Sequence, residues 1–191
     1  MSVPCGEILT SDADRRLLLR IAREALTAHL MEAPAPSATL TGAAAVLAGA
    51  FVTLYKRSEL RGCIGHIEPV EALGRVVARC AVAAATADPR FPAVQASELP
   101  FLHIELSVLG ALEPIAGFDG IEIGRHGLVV ESGWHRGLLL PQVATEWKWD
   151  ARTFLEQTCR KAGLLRDAWT RGAAMWRFEA EVFGESGEVV S

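Results

Sequence analysis

The sequence predicts an α+β fold: a mainly antiparallel sheet flanked by helices, with a second, small β-rich lobe. Three observations carry this. Helical and alternating periodicities mix along the chain without a regular βαβ rhythm, which favours antiparallel pairing. A short polar turn at Arg57-Ser58-Glu59 separates two apolar runs, as in a hairpin. Gly117, Gly120, Gly124, Gly127, Gly133 and Gly137 then punctuate short apolar segments, as two or three short strands would require. With 191 residues the chain fits one domain. Its main part is expected over about 12–112 and 141–185, with the lobe over about 113–140.

The elements follow in order. Leu18, Ile21, Ala22, Ala25 and Leu26 recur at helical spacing, so 12–32 reads as an amphipathic helix. Ser11 and Asp14 form its capping pair, and Pro34 and Pro36 end it. A hairpin over 50–56 and 60–67 comes next. Pro69 suits the first turn of a second helix whose buried stripe is Leu73, Val76, Val77, Cys80, Ala81 and Ala84. Asp88-Pro89-Arg90-Phe91-Pro92 closes it as a rigid loop. Leu102, Ile104, Leu106 and Val108 alternate with His103, Glu105 and Ser107, the pattern of a half-buried strand. Val129 and Leu139 belong to strands joined by a turn at 132–136. Asp150 caps a third helix bearing Phe154, Leu155, Thr158, Cys159 and Ala162, and Gly163 stops it. The last strand, 174–183, is expected to turn Trp176, Phe178, Ala180 and Val182 inward.

Composition narrows the function classes. The net charge is −4 and the basic residues are scattered, so nothing resembles a nucleic-acid patch. The uncharged run from Ala33 to Tyr55 is broken by Pro34, Pro36 and Gly42, and reads as a linker before a buried strand rather than a membrane span. Cys5, Cys63, Cys80 and Cys159 form no Cys-x-x-Cys pair, which fits reduced thiols in a cytoplasm. Glu7, Asp12, Asp14, Arg15 and Arg16 stand where a signal peptide would need apolar residues. No zinc spacing, Walker loop, dinucleotide fingerprint or Gly-x-Ser-x-Gly elbow is present, so no metal and no cofactor is expected.

Leu60-Arg61-Gly62-Cys63-Ile64-Gly65 is the segment most suggestive of a site. Glycine inside a strand marks a bulge or a close approach to the backbone. A cation near Cys63 would stabilise a thiolate. Arg61 shares its face by the i, i+2 rule, and Gly62 and Gly65 would leave room for a ligand. The other reading makes Cys63 a small buried hydrophobe. His66 lies three residues on, hence on the opposite face, which argues against a dyad or a shared metal. Glu105 is either a general acid or base, or a structural partner of Arg61 or Arg90. Asp88 and Arg90 sit on the proline-stiffened loop, where a turn role competes with anion binding. Gln142 and Glu146 share one face if Pro141 opens a short helix, with Trp147 and Trp149 alongside.

The hexapeptide resembles the hallmark of the AMMECR-domain family, in its bacterial type known from the AmmeMemoRadiSam system. The likeness extends through Asp88-Pro89-Arg90-Phe91-Pro92, Glu98-Leu99, Ile104 to Leu109, His126-Gly127-Leu128 and Gly137 to Ala144. Glu146, Trp149-Asp150 and Cys159 to Leu164 complete it, over roughly residues 12–185. The resemblance implies an α+β fold of two subdomains and an association with a Memo-type protein and a radical SAM enzyme. Two functions stay open: chemistry at Cys63 on a small molecule or peptide, or a non-catalytic binding module for partner proteins.

Overall fold

The structure, a computed structural model, describes residues 10–34 and 39–185. Cys5, Glu7 and Pro36 lie outside the described residues. The described chain is α+β and divides into two compact units, one of residues 10–109 and 181–185, the other of 110–180.

The first unit is a three-stranded antiparallel sheet with two helices on one face. Strands β1 (Ala50–Lys56), β2 (Glu59–His66) and β3 (Leu102–Leu109) run in the order β2-β1-β3. The alternation in the sequence sends Val52, Leu54, Ile104, Leu106 and Val108 to the helix side, all essentially inaccessible to solvent. They meet Leu18, Ile21 and Leu26 of α1 (Asp12–Leu30) and Val76, Val77 and Ala81 of α2 (Leu73–Thr86). Each of these valine, leucine and isoleucine side chains contributes about 1.5 to 3 kcal/mol on burial. The Ser11–Asp14 capping box opens α1 as expected. Asp14 also accepts the amide of Ala43 at 2.9 Å, so the cap fastens the following loop as well.

Helix α2 starts at Leu73 and not at Pro69. A bridge between Leu47 and Ala72, and a hydrogen bond from the Leu73 amide to the Val46 carbonyl, hold the approach extended until that point. A long-range contact overrides the proline signal.

In the second unit, β5 (His126–Ser132) pairs with β6 (His135–Leu139) and with the 174–179 part of β7 (Ala174–Gly184, whose residues from 181 belong to the first unit), and β4 (Glu113–Pro114) pairs with β7. Helices α3 (Pro141–Glu146) and α4 (Ala151–Lys161) join this unit. Phe154, Leu155 and Cys159 form one core with Leu128, Val130 and Met175. A lobe ending near residue 140 would strip these strands of that core, and the compact unit accordingly runs on to 180.

Strand β7 departs from the expected pattern at both ends. Met175 near its start is buried, and in its last part, which belongs to the first unit, Val182 is 45% exposed while Phe183 packs on that unit's core.

Candidate functional site

The register places three candidate residues in one transverse row. Cys63 is opposite Thr53, and Thr53 is opposite Glu105, on neighbouring strands. All three point away from α1 and α2, on the face that also carries Phe51, Tyr55, His103 and Ser107. The Thr53 hydroxyl donates to the Cys63 sulfur at 3.4 Å, and the Tyr55 hydroxyl donates to Glu105 at 3.5 Å. Cys63 is half-buried, whereas Cys80 and Cys159 are buried core residues. Burial pushes the Cys80 thiol up to about 11.

The glycines of the motif are filled from inside the protein. A Cβ on Gly62 would stand 2.0 Å from the Ala84 carbonyl oxygen of α2. One on Gly65 would stand 2.2 Å from the Phe51 ring. Their missing side chains let a helix backbone and an aromatic ring approach the strand, so the room expected for a ligand at these two positions is already taken.

Arg61 does not join Cys63. Leu54 pairs with Gly62 while Tyr55 pairs with Leu60, which leaves Arg61 as the extra residue of a β-bulge. The bulge re-aims its side chain to Glu98, which accepts from Nε at 3.2 Å and from Nη2 at 3.0 Å, and to the Pro92 carbonyl at 2.8 Å. Lys56 adds a third contact to Glu98 at 2.8 Å. These cations, Arg61 first, hold the Glu98 carboxyl down at about 2. Sequence reasoning missed Glu98 as a partner; the signal was its spacing from Gln95, with which it forms a capping box. A groove of about 680 Å³ lies at this end of the motif, lined by Lys56, Leu60, Arg61, Phe91, Gln95 and Glu98.

Asp88 secures the motif from its edge. Strand β2 is the outer strand, so the Cys63 amide points out of the sheet, where an unpaired donor would be costly. The Asp88 carboxylate accepts it at 2.9 Å while also binding Arg90 Nη2 at 2.7 Å and Nε at 3.0 Å. The Asp88 side chain is only 3% exposed. The Arg90 guanidinium holds its carboxyl far below the usual carboxylate range, and Asp88 in turn raises Arg90. The ion-pair partners of Arg61 and Arg90 are thus Glu98 and Asp88.

His66 falls on the other face from Cys63, its Nε2 buried with no hydrogen-bond partner. Gln142 and Glu146 share the α3 face in the second unit, Gln142 half-buried and Glu146 exposed. Trp147 and Trp149 stack on each other at 5.9 Å. Among the described residues no group of three or more His, Cys, Asp or Glu side chains is placed to hold a metal, and no helix is long and apolar enough to cross a membrane.

The described residues define the class as α+β with antiparallel strand pairing. The AMMECR1 family model matches residues 19–183, and the chain belongs to that family. A protein of Methanothermobacter thermautotrophicus is 50% identical over 146 residues, covering 73% of this chain and 76% of that protein. One from Methanosarcina mazei is 39% identical over 195 residues, covering 95% and 98%. The crystal structure of uncharacterized protein PH0010 from Pyrococcus horikoshii is similar in fold, with a TM-score of 0.82 and 39% identity over 89% of this chain and 90% of that one.

Proposed function

We propose that the β1–β3 face carrying Cys63, Thr53, Tyr55 and Glu105 is a binding surface for a small molecule or peptide, with Cys63 as its nucleophile. The observation that supports this is the transverse row itself: a half-buried thiol on β2, a hydroxyl on β1 donating to its sulfur, and a carboxylate beyond it on β3, two strands from the thiol. A sulfur carrying negative charge in a nucleophilic step would keep the Thr53 donor, and Glu105 stands on the same row as a proton acceptor or donor. Asp88 fixes the backbone under the thiol and Arg90 balances its charge. Arg61 contributes by anchoring the motif to the 92–98 segment. Gln142 and Glu146 are assigned to partner or substrate contacts, and the chain to a cytoplasmic three-protein system with Memo-type and radical SAM proteins.

The second reading is a non-catalytic module for those partners; the glycines, filled from inside the protein, do not decide between the two. Substitution at Gly62 cannot separate the two, because any side chain there strikes the Ala84 carbonyl and reports on folding. Cys63→Ser and Thr53→Val separate them. If the thiol is chemical, both variants fold and bind partner proteins normally, yet lose covalent trapping of electrophilic probes at position 63. Unchanged trapping in Thr53→Val removes the hydroxyl's assigned role, and loss of partner binding in Cys63→Ser favours the module.

A further inference from the structure

In the second unit a cleft of about 220 Å³ is bordered by Gly110, Glu113, Arg125, His126, Arg177 and Glu179. One wall is the loop from Glu122 to His126, closed at its base by a reciprocal pair of bonds. The His126 amide donates to the Glu122 carbonyl at 3.0 Å, and the Glu122 amide donates to His126 Nδ1 at 2.9 Å. The second bond requires an unprotonated Nδ1, which puts the ring hydrogen on Nε2. His126 is only 6% exposed. Between the two ends the chain passes Gly124 at φ +86°, and Arg125 ties the loop to Glu179 of β7 at 2.8 Å.

We propose that His126 is an acid-operated latch on this cleft: the neutral ring holds the 122–126 loop in place, and protonation releases it. A proton on Nδ1 turns the acceptor into a donor facing another donor, so the bond to the Glu122 amide cannot survive it. The charged groups around the ring pull in both directions. Arg125 on the loop and Arg177 on β7 oppose a positive imidazole, and Glu122 on the loop and Glu179 on β7 favour it. Burial and the two arginines prevail, so the His126 pKa lies below its ordinary value. A group depressed in this way favours the closed loop above the ordinary histidine range, and that contribution is lost as pH falls through the folded-state value. Arg177 is itself held by Glu113 at 2.9 Å and by the Gly120 carbonyl at 2.6 Å, so the opposing charge stays fixed when the loop moves.

NMR titration of the full chain from pH 7.5 down to about 5, above the range where carboxylate protonation unfolds it, tests the latch. The expected result is a His126 ring titration centred below 6.5, with the Glu122 and Arg125 amide signals moving at the same midpoint. In Arg177→Gln the shared midpoint rises, since one opposing cation is gone. In His126→Asn, whose side-chain oxygen can accept the same bond, the Glu122 amide no longer titrates. A Glu122 amide that stays still while His126 titrates overturns the latch. So does a His126 that takes up no proton before the chain unfolds, or a midpoint unmoved in Arg177→Gln.

Discussion

The two hairpins among the described residues are built on one plan and differ in what they carry. In each, a two-residue turn joins antiparallel strands, and the return strand holds a glycine against the backbone of a helix. On β2 it is Gly62 against the Ala84 carbonyl; on β6 it is Gly137, where a Cβ would stand 2.4 Å from the Ala162 amide of the segment ending α4. A helix-contact glycine is therefore a feature of the scaffold and says nothing about ligands. What distinguishes β2 is the rest of its surroundings: the Cys63–Thr53–Glu105 row, the buried Asp88 against its outer edge, and the bulge that commits Arg61 to Glu98. The turns differ too. Gly133 supplies the single positive φ in the second hairpin, whereas Arg57 (φ 52°) and Ser58 (φ 70°) both adopt left-handed conformations in the first.

The comparison breaks most readily at the glycines. Gly62→Ala and Gly137→Ala should each destabilise by about 3 kcal/mol in urea unfolding, because the atoms met are backbone and cannot turn aside. Gly65→Ala meets only the Phe51 ring and should cost about 1 kcal/mol. Equal costs at 62 and 65 would mean that α2 yields as easily as a ring does.

Asp88 should be next in size. Asp88→Ala leaves the Cys63 amide without its acceptor and is expected to cost about 2 kcal/mol, with Asp88→Asn costing about half of that because its oxygen can still accept. Acid should reveal the same chemistry. The Glu98 carboxyl lies at about 2 when folded against an ordinary 4.5, and Asp88 is depressed as well. The Glu98 contribution is complete above the ordinary carboxylate range and is lost as pH falls from 4.5 toward 2, at a scale of about 2 kcal/mol, while that of Asp88 is lost only at still lower pH. In Glu98→Gln the slope of stability against pH in that window should flatten. An unchanged slope would show that the Arg61–Glu98–Lys56 cluster does not stabilise the fold.

The turns give the smallest effects. Ser58→Gly should stabilise by roughly 0.5 kcal/mol, since glycine adopts a positive φ without steric cost, and Gly133→Ala should destabilise by about 1 kcal/mol for the same reason in reverse. Thermal melts of both variants measure the difference in sign.

Local patterns in the sequence located most elements because short-range physics determines them: the Ser11–Asp14 cap, the β3 alternation, the α2 stripe and the Asp150 cap all stand as the residues indicate. Long-range contacts determined the rest. The entry to α2 depends on Val46 and Leu47, some twenty-five residues upstream, and the extent of the second unit depends on α4 packing beneath β5. Within the candidate segment, the strand was legible and the direction of its side chains was not. A two-residue alternation puts Arg61 beside Cys63, but one bulged position sends it to Glu98 instead. Two glycines in a strand read equally well as room for a ligand or for a helix, and only the position of Ala84 distinguishes them. Thr53 gave no signal at all, since an isolated threonine in an apolar strand becomes polar company for a thiol only once the register of β1 against β2 is known.

The direct test of the Cys63 face is native alkylation by a small reagent such as iodoacetamide, with peptide mapping to assign the modified thiol. Cys63 should react in the folded protein, roughly tenfold or more faster than Cys80 and Cys159, which should react only on unfolding. A Cys63 as unreactive as the two core cysteines would contradict the account, because no incoming molecule could then reach its sulfur.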